Sequence, residues 1–437
     1  MTRRILIISP HFPPANAADM QRVRMVLPFL SNNGWAATVM AVSPASVAVP
    51  KDEWLVDGLP TDVAVHRVTG MGLKWSRVPG LGTLGFRALR ALAKLGDQLL
   101  ASQPFDLVYF STTVFEVHLL GPRWLKKFGV PFVLDYQDPW VNDYYRQHPN
   151  VLPPGGRFKY AVVSAMHRWM EPRVLRHCLG FTSVSPAYPQ QLDARYPWLR
   201  SLPRLAQPFP GAQRDFDRVK KLSSSNQFFK TDDGNIHWVY IGVVIDGMYP
   251  ALRSLFSAIQ TSMPSAEKAR LRMHFIGTSY APSGQAALKV MPLAAEFGLS
   301  AQVQEQTERI PYVDTLHCLL SAHALLAVGS DDPGYTASKI YPYLLARKPL
   351  LAVYHELSSV TSLIAEVGGA VCIPIVMPVN QDALAAAISL RWLSANQYMA
   401  TLPLDETALE PYTDHGSAKT LCQFFDECLL RSTDTNH

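Results

Sequence analysis

The residues of this sequence that could do chemistry sit just past short apolar runs. Ser338-Lys339 opens an apolar stretch, Lys339–Ala346. A lysine there adds a full positive charge where a helix N-terminus carries a partial one. Gly242 and Gly277 close the runs His237–Ile241 and Met273–Ile276. A glycine after a strand lets backbone amides approach a phosphate, although it also serves as a plain turn residue. These positions suit an anionic nucleotide. Asp138, in Gln137-Asp138-Pro139-Trp140, is a candidate catalytic carboxylate. Placed before proline in a loop, it either orients an acceptor hydroxyl or caps a helix. Trp140 and Tyr144 either stack on sugar rings on the acceptor side or pack beneath their loop. The Asp331-Asp332 pair lacks a third ligand at readable spacing, so no metal site is expected.

Positioning these residues takes parallel strands joined by helices. Ile5–Ser9 is an all-apolar run, as in a strand covered on both faces. A Pro-rich loop to Asn16, a candidate acceptor-side residue, follows, then a helical pattern over Asp19–Asn33 with Pro28 as a kink and Gly34 as its stop. Ala37–Val42 is the next strand. Helix Arg87–Ala101, strands Leu107–Phe110, Phe132–Tyr136 and Thr182–Ser185, and a long helix over Phe158–Cys178 continue the alternation. Residues 186–235 are Pro-rich and contain Ser223-Ser224-Ser225, which reads as a connection with a loosely ordered insertion. A second alternation then begins at His237. It includes helices Tyr249–Ser262 and Gly284–Phe297, strands Leu325–Val328, Leu350–Val353 and Val371–Ile375, and final helices Asp382–Ser394 and Gly416–Leu430. Ligands of such sheets bind at the carboxyl ends of the strands.

The composition agrees. The chain has 437 residues, 48% of them hydrophobic and 17% charged, which excludes intrinsic disorder. No apolar run reaches membrane-spanning length, and Ile5–Ile8 is too short for a signal-peptide core, so a cytoplasmic protein is expected. Five cysteines without CxxC spacing predict packed thiols. The formal charge is +10 over residues 1–210 and −5 over 211–437. That asymmetry suits an anionic surface or substrate in the first half; without a dense basic run, nucleic acid is not expected. No GxGxxG follows a strand, which argues against a nicotinamide dehydrogenase.

Segment by segment, the chain resembles a family 4-type retaining glycosyltransferase of the GT-B fold, of the bacterial polysaccharide-biosynthesis type. The resemblance rests on ILIISPHFPPANAADMQRVRMVLPFLSNNGW, VPFVLDYQDPW, FTSVSP, HWVYIG, MHFIGT and ASKIYPYLLARKPLLAV, in that order over nearly the whole chain. It implies transfer of a sugar from a nucleotide-sugar donor to a glycan or lipid-linked acceptor in cell-surface polysaccharide biosynthesis, with no metal or cofactor. It implies His118 as a catalytic-side group bonding sugar or acceptor, the competing reading being a structural imidazole. The sequence also departs from the family. Where the family carries two glutamates, Tyr335 and Pro342 stand; Ala17-Ala18 replaces its Gly-Gly loop; and only the late Arg253 follows the first strand of the second half. We read a divergent subgroup in which Tyr335, Thr336, Ser338 and Lys339 supply donor contacts.

The expected fold is α/β, with two Rossmann-like doubly wound domains facing a cleft and a C-terminal helix returning to the first domain. The expected boundaries are 1–210 (acceptor side), 211–235 (linker), 236–405 (nucleotide-sugar binding) and 406–437 (helical). Basic residues Arg87, Arg90 and Lys94 on one helix, and Arg157, Lys159, Arg168, Arg173 and Arg176 with aromatics on another, form either an anionic-membrane contact or an ordinary solvated face. The alternatives to a transferase are a non-catalytic glycan- or partner-binding protein and a sugar-nucleotide epimerase.

Overall fold

The computed structural model describes residues 2–77, 82–147, 152–153, 156–222, 224, 226–279, 281, 284–333, 335 and 338–434, without the side chains of 144, 147, 159, 433 and 434. The chain forms two units, Met1–Pro210 with Asp414–His437, and Gly211–Thr413.

The first unit holds a seven-stranded parallel sheet. Its strands are β1 Arg3–Ile8, β2 Trp35–Val42, β3 Ala64–Val68, β4 Leu107–Ser111, β5 Phe132–Tyr136, β6 Gly180–Ser183 and β7 Arg204–Ala206, in the order β3-β2-β1-β4-β5-β6-β7. Residues of β1 and β4 are buried on both faces, which is why they read as unbroken apolar runs. One face packs Val23, Val26 and Leu27 against the strands. The C-terminal helix Asp414–Asp434 covers the same face with Leu421, Phe425 and Cys428, so the last helix does return to the first sheet. Each such apolar side chain contributes about 1.5–3 kcal/mol. Asp426 secures the helix edge, pairing with Arg3 and accepting from Trp35 Nε1 at 3.1 Å.

The second unit holds a six-stranded parallel sheet. Its strands are β8 Ile236–Ile241, β9 Leu271–Ile276, β10 Val303–Gln306, β11 Ala324–Val328, β12 Leu350–His355 and β13 Val371–Ile375, in the order β10-β9-β8-β11-β12-β13. In each sheet the strand order reverses at the first strand of its unit, the topological switch point where ligands of open α/β sheets bind.

Several elements differ from expectation. The pattern over 19–33 is a short α-helix, Gln21–Val26, followed by tight 3-10 turns, because Pro28 cannot donate to a longer helix. Gly34 ends it at φ +83°. The helix expected over 284–297 is only Val290–Glu296; the Glu305 carboxylate accepts from the backbone N–H of Lys289, Val290 and Met291 and so sets its start. Segment 186–235 is more structured than a linker. It contains helix Ala187–Arg195, β7 and helix Gln213–Val219, whose Phe216 and Val219 are buried in the second unit. Arg87 does not belong to a basic face. It is buried and donates to Ser46 O at 3.1 Å and Met71 O at 2.8 Å.

Candidate functional site

At the carboxyl ends of β8 and β9 the ladder continues past the strands. Gly242 N donates to Ile276 O at 2.9 Å, and Gly277 N donates to Gln306 O at 2.8 Å. The amides of both glycines are thus spent on the sheet, a correction to the expectation that they meet a phosphate. What the glycines supply is conformation and room. Gly242 has φ +138° and Gly277 φ +75°, where a side chain would be strained. A Cβ on Gly242 would lie 3.4 Å from Lys339 Nζ.

A cavity of about 440 Å³ opens at this edge. Gly242, Gly277, Tyr335, Ser338 and Lys339 all line it, so the fold brings together five of the seven residues expected at a donor site. Thr336 lies outside the described residues. Arg253 lies elsewhere, in helix Tyr249–Ser262, where it pairs with Glu296 at 2.6 Å on the surface. Apolar walls come from Ile241, Val243, Ile245, Ile276 and Ile310.

Lys339 Nζ donates to the Tyr240 hydroxyl at 2.6 Å and sits 4.1 Å from the centroid of that ring. Burial pushes its pKa down to about 7. The Tyr240 hydroxyl in turn donates to Val243 O at 2.9 Å, which fixes the loop after Gly242. Tyr343, on helix Ile340–Leu345, exchanges two bonds with the Ile241 backbone at 2.7 and 3.1 Å. That helix has only six residues, so the charge here comes from the ammonium rather than from a macrodipole. Tyr335 stacks on Tyr354 at 6.5 Å.

Arg309 also lines the cavity, 3.8 Å from where a Cβ on Gly277 would stand. It follows the polar edge strand β10, which sequence reasoning missed. Two cations, three hydroxyl side chains (Thr315, Tyr335 and Ser338) and no carboxylate line this cavity among the described residues. Such a lining is complementary to a polyanion. The Asp331 carboxylate accepts from Ser330 Oγ at 3.2 Å beside Gly247, the Asp332 backbone N–H donates to the same hydroxyl, and no cluster of three metal-ligating groups occurs among the described residues.

In the first unit the carboxyl ends of β1, β4 and β5 carry a buried polar network. Arg22 Nε donates to Asp135 Oδ2 at 2.8 Å, with both side chains at 0% exposure. Asp135 also accepts from Ser111, Gln137 and Thr182 at 2.7–2.8 Å. Asp19 accepts from His11 and Thr112 at 2.9 Å. Burial opposes the Asp19 charge, yet His11, Thr112 and Thr113 together hold its carboxyl below the usual range. Neither Arg22 nor Asp19 was anticipated.

Asp138 stands above this network, open to solvent. Desolvation against the loop, then the charge of Asp19, raises its pKa. Asn16 lies in the loop after β1, its backbone N–H bonded to Pro50 O at 2.8 Å. Tyr144 begins a short helix, Tyr144–Gln147, and its side chain is outside the described set.

His118 and Trp140 do not face a ligand. His118 is buried among Phe110, Phe115 and Trp140, with ring centroids 5.1–6.1 Å away, and neither ring nitrogen has a partner. Burial pushes its pKa down to about 3. Trp140 stacks on Phe115 at 5.6 Å and belongs to the same core. The loop after β4 turns into a 3-10 helix, Phe115–Leu119, which rotates the imidazole inward.

No family model and no curated protein sequence matches this chain. Solved structures do. A UDP-forming trehalose-phosphate synthase from Burkholderia xenovorans, in complex with glucose-6-phosphate, aligns with a TM-score of 0.60 at 12% identity, covering 98% of this chain and 100% of that one. The N-terminal domain of Candida albicans trehalose-6-phosphate phosphatase aligns at 0.60 and 11% identity, covering 98% and 97%. Anabaena HepE in complex with UDP-glucose aligns at 0.53 and 13% identity, covering 99% and 98%. At these identities the likeness shows the fold alone: two Rossmann-like parallel-sheet units, the GT-B architecture.

Proposed function

We propose that the chain is a nucleotide-sugar-dependent glycosyltransferase whose donor diphosphate occupies the cavity of the second unit. The observation that carries this reading is Lys339, seated on Tyr240 and aimed past Gly242 into a cavity that Arg309 also lines. Stabilising the charge that develops on a leaving diphosphate is the main task of such a site. Lys339 and Arg309 perform it in this reading, without a metal. Ser338 and Tyr335 offer hydroxyls to the ribose in place of a carboxylate. HepE was solved with UDP-glucose, so uridine diphosphate hexoses are the first donors to test.

The finer reading follows the sequence resemblance: hexosyl transfer with retention, to a glycan or lipid-linked acceptor, in cell-surface polysaccharide assembly. Asp138 is the accessible carboxylate on the acceptor side. Helix Gly156–Leu175 supports contact with an anionic membrane, since Phe158 is 85% and Trp169 56% exposed. Arg173 lies 4.1 Å over Trp169 on that helix, and Arg176 lies over Trp198 nearby. No helix among the described residues is long and apolar enough to cross a membrane.

The test is thermal unfolding against UDP, GDP, ADP, CMP and their sugar conjugates. A ligand at about 100 times its dissociation constant stabilises by about 2.7 kcal/mol. A shift with one nucleotide, absent in Lys339→Met, is the expected result. No shift with any of them would sink the donor-site reading. The absence of a carboxylate at Tyr335 and Pro342 favours one alternative, a non-catalytic binding protein. A bound donor that is neither transferred nor hydrolysed would select it.

A further inference from the structure

A second cavity, of about 550 Å³, lies at the opposite, amino-terminal edge of the second sheet. It is bounded by the segments that lead into β8, β11 and β12, and it shares no residue with the donor cavity. Its polar lining comprises His323, Arg347 and Lys348 with the hydroxyls of Thr231, Ser321 and Thr401, and includes no carboxylate among the described residues.

Three observations single it out. Lys348 is half-buried, and no described residue hydrogen-bonds or ion-pairs with it; burial lowers its pKa. A desolvated ammonium without a counter-ion is costly unless a ligand supplies one.

His323 Nδ1 accepts the backbone N–H of His237 at 3.1 Å. The neutral ring must therefore carry its proton on Nε2, which leaves a donor for a ligand. Burial, then the neighbouring His237 and Lys348, disfavour a second proton on this ring. Asp233 works the other way and Arg270 the same way.

Arg347 has φ +55°, just past helix Ile340–Leu345 and its Ala346 cap. Glycine is the ordinary occupant of that position. A strained arginine kept there, half-paired with Glu406 at 2.5 Å, presents a guanidinium where a glycine would present nothing.

We propose that this cavity binds a phosphate-bearing anion, with Lys348, Arg347 and the Nε2–H of His323 donating to its oxygens. The site is independent of the donor reading, because neither its residues nor its edge of the sheet are those of the donor cavity.

The test follows the imidazole resonances of the full chain by NMR while inorganic phosphate, and separately glycerol 3-phosphate, is added to millimolar concentration. His323→Gln assigns the His323 signal. The expected result is a saturable shift of that signal in the wild type and equally in Lys339→Met. In Lys348→Met the affinity should fall roughly tenfold, the size of one charge-assisted bond. The wild-type melting temperature in that variant confirms that it folds. Tighter binding of the ester identifies a phosphorylated metabolite, and equal binding identifies free phosphate; either supports the site. The proposal is overturned by no saturable shift, by unchanged affinity in Lys348→Met, or by loss of the shift in Lys339→Met, which would place the phosphate in the donor cavity.

Discussion

The Lys339 ammonium rests on Tyr240, 2.6 Å from the hydroxyl oxygen and 4.1 Å from the ring centroid. Tyr240 lies near the end of buried β8 and Lys339 precedes a short helix 99 residues later, so the three crossovers from β8 through β9 and β10 to β11 bring them together. The contact keeps the amine at the cavity wall although burial disfavours its charge.

The first consequence is a pH dependence. The free lysine titrates near pH 7 because burial disfavours its charge. An anion binds the protonated form and raises that pKa. Affinity for a nucleotide sugar should then be level below about pH 7 and weaken above it, approaching tenfold per pH unit. Calorimetric titration between about pH 6 and pH 9 reads this directly. A nucleotide sugar is the right probe, since its diphosphate diester has no proton titrating in that range. Lys339→Met should abolish the slope.

Gly242→Ala tests the room beside the lysine. The new methyl group would stand 3.4 Å from Nζ on a backbone at φ +138°. Strain of roughly 1–3 kcal/mol is expected, together with weaker nucleotide binding. Melting curves with and without ligand separate the two effects. Wild-type affinity in a folded variant would show that Lys339 does not need this space.

In the first unit, Arg22 and Asp135 are both fully buried, and removing one strands the other. Asp135→Asn should destabilise by about 3–5 kcal/mol. Replacing both residues by apolar ones of similar size should cost less than either single change. Denaturant titration of the three variants checks the order.

His118→Leu should leave nucleotide affinity and the pH profile of turnover unchanged. Neither ring nitrogen of His118 has a partner, so an apolar side chain of similar volume should hold or raise stability, by about 1 kcal/mol. Loss of turnover in a folded His118→Leu protein would return this histidine to the active site.

The C-terminal helix offers a fifth test. Deleting residues from Asp414 onward removes Leu421, Phe425 and Cys428 from the first unit's core. The first unit should lose cooperative unfolding. The contiguous segment 211–413 should keep nucleotide affinity within about threefold, because every described residue of the cavity lies inside it. Circular dichroism and titration of the two truncations decide this.

Much of the fold was legible because parallel strands covered on both faces are apolar throughout. Ile5–Ile8 of β1, Leu107–Phe110 of β4 and all of β11 announce themselves in this way, whereas β5 carries the buried Asp135. β10, with sequence Val-Gln-Glu-Gln, is a polar edge strand and gives no such signal, so Arg309 beyond it went unseen. Gly242 and Gly277 were legible as residues after strands and Lys339 as the residue before a helix, positions that share one cavity. For His118 and Trp140 the sequence leaves a ligand-facing and a packed reading open, because a loop position does not tell which way a side chain turns. The Arg22–Asp135 pair joins residues 113 apart, and no local pattern encodes it.

The helix Asp414–Asp434 also bears on how the protein is made. The first unit is discontinuous in sequence, while the second is a single run from Gly211 to Thr413. On the ribosome, the first sheet emerges with one face open and waits for the entire second unit to be translated before its covering helix arrives. At about 5–20 residues per second that wait lasts roughly 10–40 s. The second unit can therefore complete its core before the first, inverting the order of synthesis. The open apolar face of β1, β2 and β4 during that interval is where a nascent-chain chaperone would find its substrate.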